Sequence, residues 1–340
     1  MFYTEIGNDV YEKVLKLMKN MKALKDLVHP VKKEFRREKC GFEHTPPNDF
    51  VKSQWQNRTK SIVYLIYRWF LALFFTAVVI ESMIDPDPDE NPNFWLYFIY
   101  MTNWGIMLCM ITNVYAAILV TIWHFHPEYA DKLLNLESLK SPFRIYWAMH
   151  ITTLVVSIVI TIIYWSILYD ANESTLSATN ILTHAFNSIC MFIDLLIVAH
   201  PLRLLHMFLP VCFGLFYAFF SVIYQLCGGH NRKGKPYIYH VIDWNKPVNS
   251  TLTVVGVILL CCCVYMALFT IYKLRTLLYR RLNNATFILP TTAPPPITKK
   301  HIGTGIKHTS PGISMVLGNF EGHTNPAFSK SSENITKNSL

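Results

Sequence analysis

Residues 180–194 read NILTHAFNSICMFID, and whether this stretch crosses a membrane decides the fold. It opens an apolar run that continues to Ala199, yet Asn180, His184, Asn187 and Asp194 interrupt it. At about 100° per residue these four fall within roughly an 80° arc of a helix, so they form a stripe. An aspartate near mid-membrane costs ~2.5–3.5 kcal/mol on insertion scales, so such a stripe must face other helices or a wet cavity. The stretch therefore reads as one membrane helix of a bundle, with its polar face turned inward.

The remainder of the chain supports that reading. Its 340 residues are 52% hydrophobic and only 16% charged, with a mean hydropathy of +0.26. This is too apolar for an ordinary soluble domain and marks an all-α polytopic membrane protein. Segments 62–84, 95–123, 145–169, 180–199, 205–225 and 251–276 are long enough to cross a ~30 Å hydrocarbon core, which takes roughly 20 helical residues. The chain thus divides into an N-terminal region 1–61, a six-helix transmembrane domain 62–276 and a C-terminal region 277–340. The opening residues MFYTEIGNDVYEKVLK lack the parts of a cleaved signal peptide, so the first membrane helix is expected to serve as a signal anchor.

The net charge of +9 is concentrated in the first sixty residues and beside the last apolar segment. That placement fits a cytoplasmic membrane surface and argues against nucleic acid as a partner. Lys52, Arg58 and Lys60 precede the first segment, DPDPDENPNF at 85–94 has no basic residue, and Lys132, Lys140 and Arg144 follow the second. DANESTLSAT at 170–179 again has none, Arg203 lies in the next turn, and YKLRTLLYRR ends the last segment. The alternation predicts six spans with both termini cytoplasmic. Residues 226–250 break it with Arg232, Lys233, Lys235 and Lys246. Sequons at Asn172 and Asn249 fall in loops placed outside, Asn249 close to the bilayer.

Residues 10–28 align Val10, Val14, Leu17, Met18, Met21, Leu24 and Val28 on one helical face with Lys16, Lys19 and Lys22 off it. This predicts a basic amphipathic helix, used for packing or for attachment to anionic lipid or a calmodulin-like partner. The end of the chain, rich in Ser, Thr and Asn after LPTTAPPPITKK, is expected to be disordered. Six of the eight cysteines lie in apolar runs and read as small core residues, with no metal site indicated. His124, His126, His150, His200 and His206 fall near cytoplasmic helix ends and read as interfacial rather than metal-binding.

A facing stripe is expected on the second span, where Thr102, Gly105, Cys109 and Asn113 share a face. Counting from Trp95 and Asn180 at 1.5 Å per residue, Thr102 and His184 lie roughly 10 Å and 6 Å deep from the same side. Tyr217, Ser221 and Tyr224 add a third stripe on the fifth span. A threonine beside a histidine has the parts of an activated nucleophile: the imidazole takes the proton, the hydroxyl attacks an ester carbonyl, and Asn103 or Asn187 supplies an oxyanion donor. The competing reading is that these polar groups only hydrogen-bond neighbouring helices.

FVKSQWQ at 50–56, YFIYMTNWG at 97–105, NILTHAFNSICMFIDLL at 180–196 and GKPYIYHVIDWNKP at 234–247 together resemble the rolling stone proteins, membrane proteins associated with myoblast fusion in insect muscle development. The resemblance covers roughly residues 38–282. The fourth-span motif is also similar to the androgen-induced family of membrane hydrolases, which cleave fatty acid esters of hydroxy fatty acids with an intramembrane threonine and histidine. Asn180, His184 and Asp194 hold that family's Asn, His and acidic places, with Asp for its usual Glu. Thr102 in IYMTNWG matches the threonine of its Phe-Leu-Thr motif, whose preceding residues differ here.

Two functions follow from these resemblances. One is a Thr102/His184 hydrolase of lipid esters, supported by Asn103, Asn180, Asn187 and Asp194. The other is a non-catalytic component of cell–cell fusion that acts through its outer loops on partners at the cell surface. A transporter is a third, weaker option, because the stripes match at one depth only. The implied setting is the plasma membrane rather than the endoplasmic reticulum, with membrane lipid as neighbour and no cofactor required.

Overall fold

The computed structural model describes Glu34 and residues 40–56, 58–84, 93–136, 140–169 and 178–287, with side chains to residue 282. The amphipathic pattern at 10–28, the Asn172 sequon and the Ser/Thr/Asn-rich end lie outside the described residues. Among these residues the regular structure is helical, and six helices are long and apolar enough to cross a membrane. They are α1 (Ile62–Ile84), α2 (Met101–Phe125), α4 (Pro142–Ile163, prolonged by a π turn to Leu168), α5 (Thr179–Ile197), α6 (Leu204–Leu226) and α7 (Pro247–Phe287). A short helix, α3 (Pro127–Leu134), separates the second and third spans. α3, α4 and α7 each begin at proline, whose missing N–H falls where a helix has no intrahelical acceptor for it.

α4 is the centre of the bundle and packs against α2, α5, α6 and α7. Its consecutive Thr153, Leu154, Val155, Val156 and Ser157 are all buried, as expected of a helix enclosed on every side. α1 lies along α2 and leaves Ile62, Val63, Ile66, Phe70 and Leu73 exposed, the face that hydrocarbon would cover. Residues 40–56 fold back onto one end of the bundle. There Phe50 and Val51 are buried, Trp55 Nε1 donates to the Leu196 carbonyl at 2.8 Å, and Arg203 donates to the carbonyls of Gly41 and Glu43.

Three sequence expectations need correction. The second span starts at Met101, not 95: Phe94–Ile99 is a separate 3-10 turn, and extended Tyr100 breaks it from α2. Asn103 Nδ2 and Trp104 Nε1 take the carbonyls of Tyr97 and Phe98 at 2.7 and 2.6 Å, the acceptors a continuous helix would have used. Thr102 therefore sits in the first turn of its span and not seven residues inside it. The last helix runs to Phe287 rather than ending at 276, so the basic juxtamembrane stretch begins as helix. His150, His200 and His206 are buried at 1%, 4% and 0% exposure, not interfacial.

Candidate functional site

The polar stripe of α5 is divided between two places. Near the end of the helix, Asp194 is fully buried and faces Arg68 of α1, itself fully buried, with Nη1 to Oδ2 at 3.0 Å. His150 Nε2 lies 2.8 Å from the same oxygen, and the Tyr67 hydroxyl donates to Oδ1 at 3.0 Å. The Arg68 guanidinium also donates to the hydroxyls of Tyr64, at 2.7 Å, and Tyr146, at 2.9 Å. Tyr64, Tyr67 and Arg68 share a face of α1 through their i, i+3, i+4 spacing, and Tyr146 and His150 share one of α4. Neither Arg68 nor Asp194 has an unpaired nitrogen or oxygen. A buried charge pair satisfied in this way holds three helices together and leaves little capacity for a ligand.

The start of α5 is built differently. Residues 182–186 form a π turn, which contains one residue more than an α-helical turn and so rotates His184 relative to Asp194. The imidazole of His184 is buried and stacks on Tyr164 of α4, with ring centroids 3.3 Å apart and planes at 2°. Its Nδ1 has no hydrogen-bond partner among the described residues, and neither has Nδ2 of fully buried Asn187. The Asn187 carboxamide oxygen is occupied by the Ser188 N–H at 2.6 Å and the Thr161 hydroxyl at 3.3 Å. Unpaired buried groups of this kind cost about 1–3 kcal/mol each and call for an explanation.

Thr102 lines an apolar cavity of about 130 Å³ between α4, α6 and α7. Ile160, Ile163, Val211, Val254 and Ile258 form much of its wall, with Tyr164, Tyr217, Tyr239 and Thr253 as polar exceptions beside Thr102. The α2–α4 approach at this level is close because residue 105 is glycine: a Cβ there would run into Ile160 Cδ1. The π turn bearing His184 packs against both α2 and α4.

Of the residues singled out in the sequence, Thr102 and His184 thus come from adjoining elements, and Tyr164 both touches His184 and lines the cavity of Thr102. Among the described residues no hydrogen bond joins the two directly. Asn103 is committed to the Tyr97 carbonyl, Asn180 is partly buried at the start of α5, and Asp194 belongs to the Arg68 cluster rather than to His184. Thr102, Gly105, Cys109 and Asn113 are all buried on one face of α2, as the pattern predicted. The sequence reading overlooked Arg68 and Tyr239. An arginine six residues into an apolar span was itself a signal, since it requires an acceptor there.

A six-span helical bundle with an ion pair sealed at one end and a threonine-bearing apolar cavity at the other defines an integral membrane protein with an intramembrane polar site. The chain belongs to the rolling stone family: the family described as Protein rolling stone matches residues 21–289. Protein rolling stone of Drosophila melanogaster is 37% identical over 266 residues, covering 76% of this chain and 95% of the relative. No solved structure matches the chain.

Proposed function

We propose that this rolling stone-like membrane protein is an intramembrane hydrolase of lipid esters, with Thr102 as nucleophile and His184 as general base, acting at the plasma membrane in support of cell–cell fusion. The observation that carries the reading is the buried imidazole of His184, its Nδ1 unpaired among the described residues, on a π turn packed against α2, whose first turn presents Thr102 to an apolar cavity. An acyl chain would lie among the valines and isoleucines of that cavity with its ester at the threonine end.

The Thr102 hydroxyl passes its proton to His184 as its oxygen bonds to the ester carbonyl carbon. The carbon–oxygen bond to the alcohol then breaks, and the alcohol leaves with the proton from the imidazolium. Water repeats the sequence on the acyl-threonine, releasing the acid and restoring both side chains. No hydrogen bond joins Thr102 to His184 among the described residues, so the transfer runs through a bridging water or a swing of His184 off the Tyr164 ring; catalytic hydrogen bonds commonly tighten only when substrate is bound.

The test is labelling of the purified protein with a fluorophosphonate probe, alongside release of acid from long-chain esters. Labelling and turnover that disappear in Thr102→Ala and His184→Gln, with folding intact, support the hydrolase. Wild-type protein that neither labels nor turns over esters favours the second reading, a non-catalytic fusion component acting through its outer loops. That reading draws on the loop between α6 and α7, which exposes Lys233 and Lys235 where a basic surface could meet a partner. Under it, changes at those lysines would impair fusion while Thr102→Ala would not.

A further inference from the structure

We propose that Tyr239, brought down by the loop between α6 and α7, is the hydrogen-bond donor that grips the carbonyl oxygen of an acyl lipid at Thr102. This deepens the lipid-ester reading and rests on it. That reading leaves a place unfilled: an ester at Thr102 needs a donor for its carbonyl, and neither Asn103 nor Asn187 lines the cavity.

Tyr239 does line it beside Thr102, and its hydroxyl oxygen reaches the first turn of α2. The same oxygen accepts the Met101 N–H at 2.9 Å, and a hydroxyl that accepts in this way becomes a better donor of its own proton. Burial pushes the Tyr239 hydroxyl up to about 12, so it keeps that proton throughout the physiological range. Of the two other tyrosines that line the cavity, Tyr217 donates to the Ile99 carbonyl at 2.8 Å and Tyr164 stacks on His184.

The loop that positions Tyr239 is itself built and fastened. Tyr100 packs edge-on against the Tyr239 ring, at 5.8 Å and 70°, and its hydroxyl accepts the Arg232 N–H at 3.1 Å. Asn231 accepts from the backbone N–H groups of Lys233 and Lys235 around Gly234, whose φ of +72° favours glycine. Gln225 donates to Asp243 at 2.8 Å, and Trp244 Nε1 donates to Ser221 at 3.0 Å, tying the loop to α6. The outer loop is therefore one wall of the site, and carbonyl selectivity resides in it.

The experiment compares photolabelling of full-length protein in detergent by two probes, a sixteen-carbon diazirine methyl ester and a diazirine hydrocarbon of equal length. Wild type is expected to prefer the ester. Tyr239→Phe should lower ester labelling about tenfold, the net effect of losing one neutral hydrogen bond, while hydrocarbon labelling stays unchanged. Three outcomes overturn the proposal: wild type without an ester preference, Tyr239→Phe with wild-type ester labelling, or equal loss of both probes, which would make Tyr239 only a support for the loop. Acid release from the ester by wild type, measured in the same preparation, judges the hydrolase separately. A Tyr239-dependent ester preference without acid release keeps the carbonyl grip and removes the hydrolase.

Discussion

The two ends of α5 place polar groups in apolar surroundings by opposite means. At one end Asp194 meets Arg68, His150 and Tyr67, and its charge is fully answered. At the other, His184 and Asn187 are buried with a nitrogen apiece unpaired among the described residues, and His184 stacks on Tyr164, which lines the cavity. Asp194 thereby joins three helices, whereas under the proposed function the open valence of His184 serves a substrate. The difference teaches that a polar stripe is not one site merely because its residues share a face.

The largest effect expected from breaking this contrast is at the closed end. Arg68→Met strands the Asp194 charge and should cost about 3–5 kcal/mol, the usual consequence of removing one partner of a buried pair. Thermal unfolding in detergent measures this, and Arg68→Met/Asp194→Leu should recover more than half of the loss. A smaller effect sharpens the picture of the open end. In Gly105→Ala the new methyl meets the flexible tip of Ile160, an overpacking of about 1–3 kcal/mol that the better helix propensity of alanine offsets by up to about 1 kcal/mol. Ile160 also lines the cavity, so ester photolabelling should fall severalfold while the unfolding temperature falls less than in Arg68→Met.

The smallest effect concerns an exception to saturation at the closed end. His200, in the turn between α5 and α6, is buried 4.6 Å from the His150 ring with neither of its own nitrogens paired among the described residues. Burial, reinforced by neighbouring His150 and Arg68, holds its pKa well below the usual 6.5. The unfolded chain therefore binds a proton there more readily than the folded one. Stability is complete above pH 6.5 and declines as the pH falls from that value. Unfolding temperatures compared at pH 7.5 and 5.5 should show a smaller acid loss in His200→Phe than in wild type.

Much of this architecture was legible in the sequence because hydrocarbon thickness imposes a length that apolar runs must meet. The buried face of α2, with Thr102, Gly105, Cys109 and Asn113, was legible for the same reason: helical periodicity is local. Features that depend on distant partners were not. The π turn at 182–186 leaves no mark in residue spacing, and a uniform rotation per residue merged His184 and Asp194 into one face. The aromatic run Phe94–Ile99 read as part of a span because its polarity is low, although side chains from the next turn had claimed its carbonyls. Tyr239 was unreadable as a site residue, since only the folded loop carries it to the start of α2.

The most direct test of the central claim places His184→Gln and Asp194→Asn side by side, reading unfolding temperature and fluorophosphonate labelling on the same samples. The account predicts that His184→Gln unfolds at close to the wild-type temperature and loses labelling, whereas Asp194→Asn is destabilised and labels in proportion to the folded protein that remains. Equal destabilisation by both, with labelling tracking folded protein in each, would contradict it and make the whole stripe a packing device.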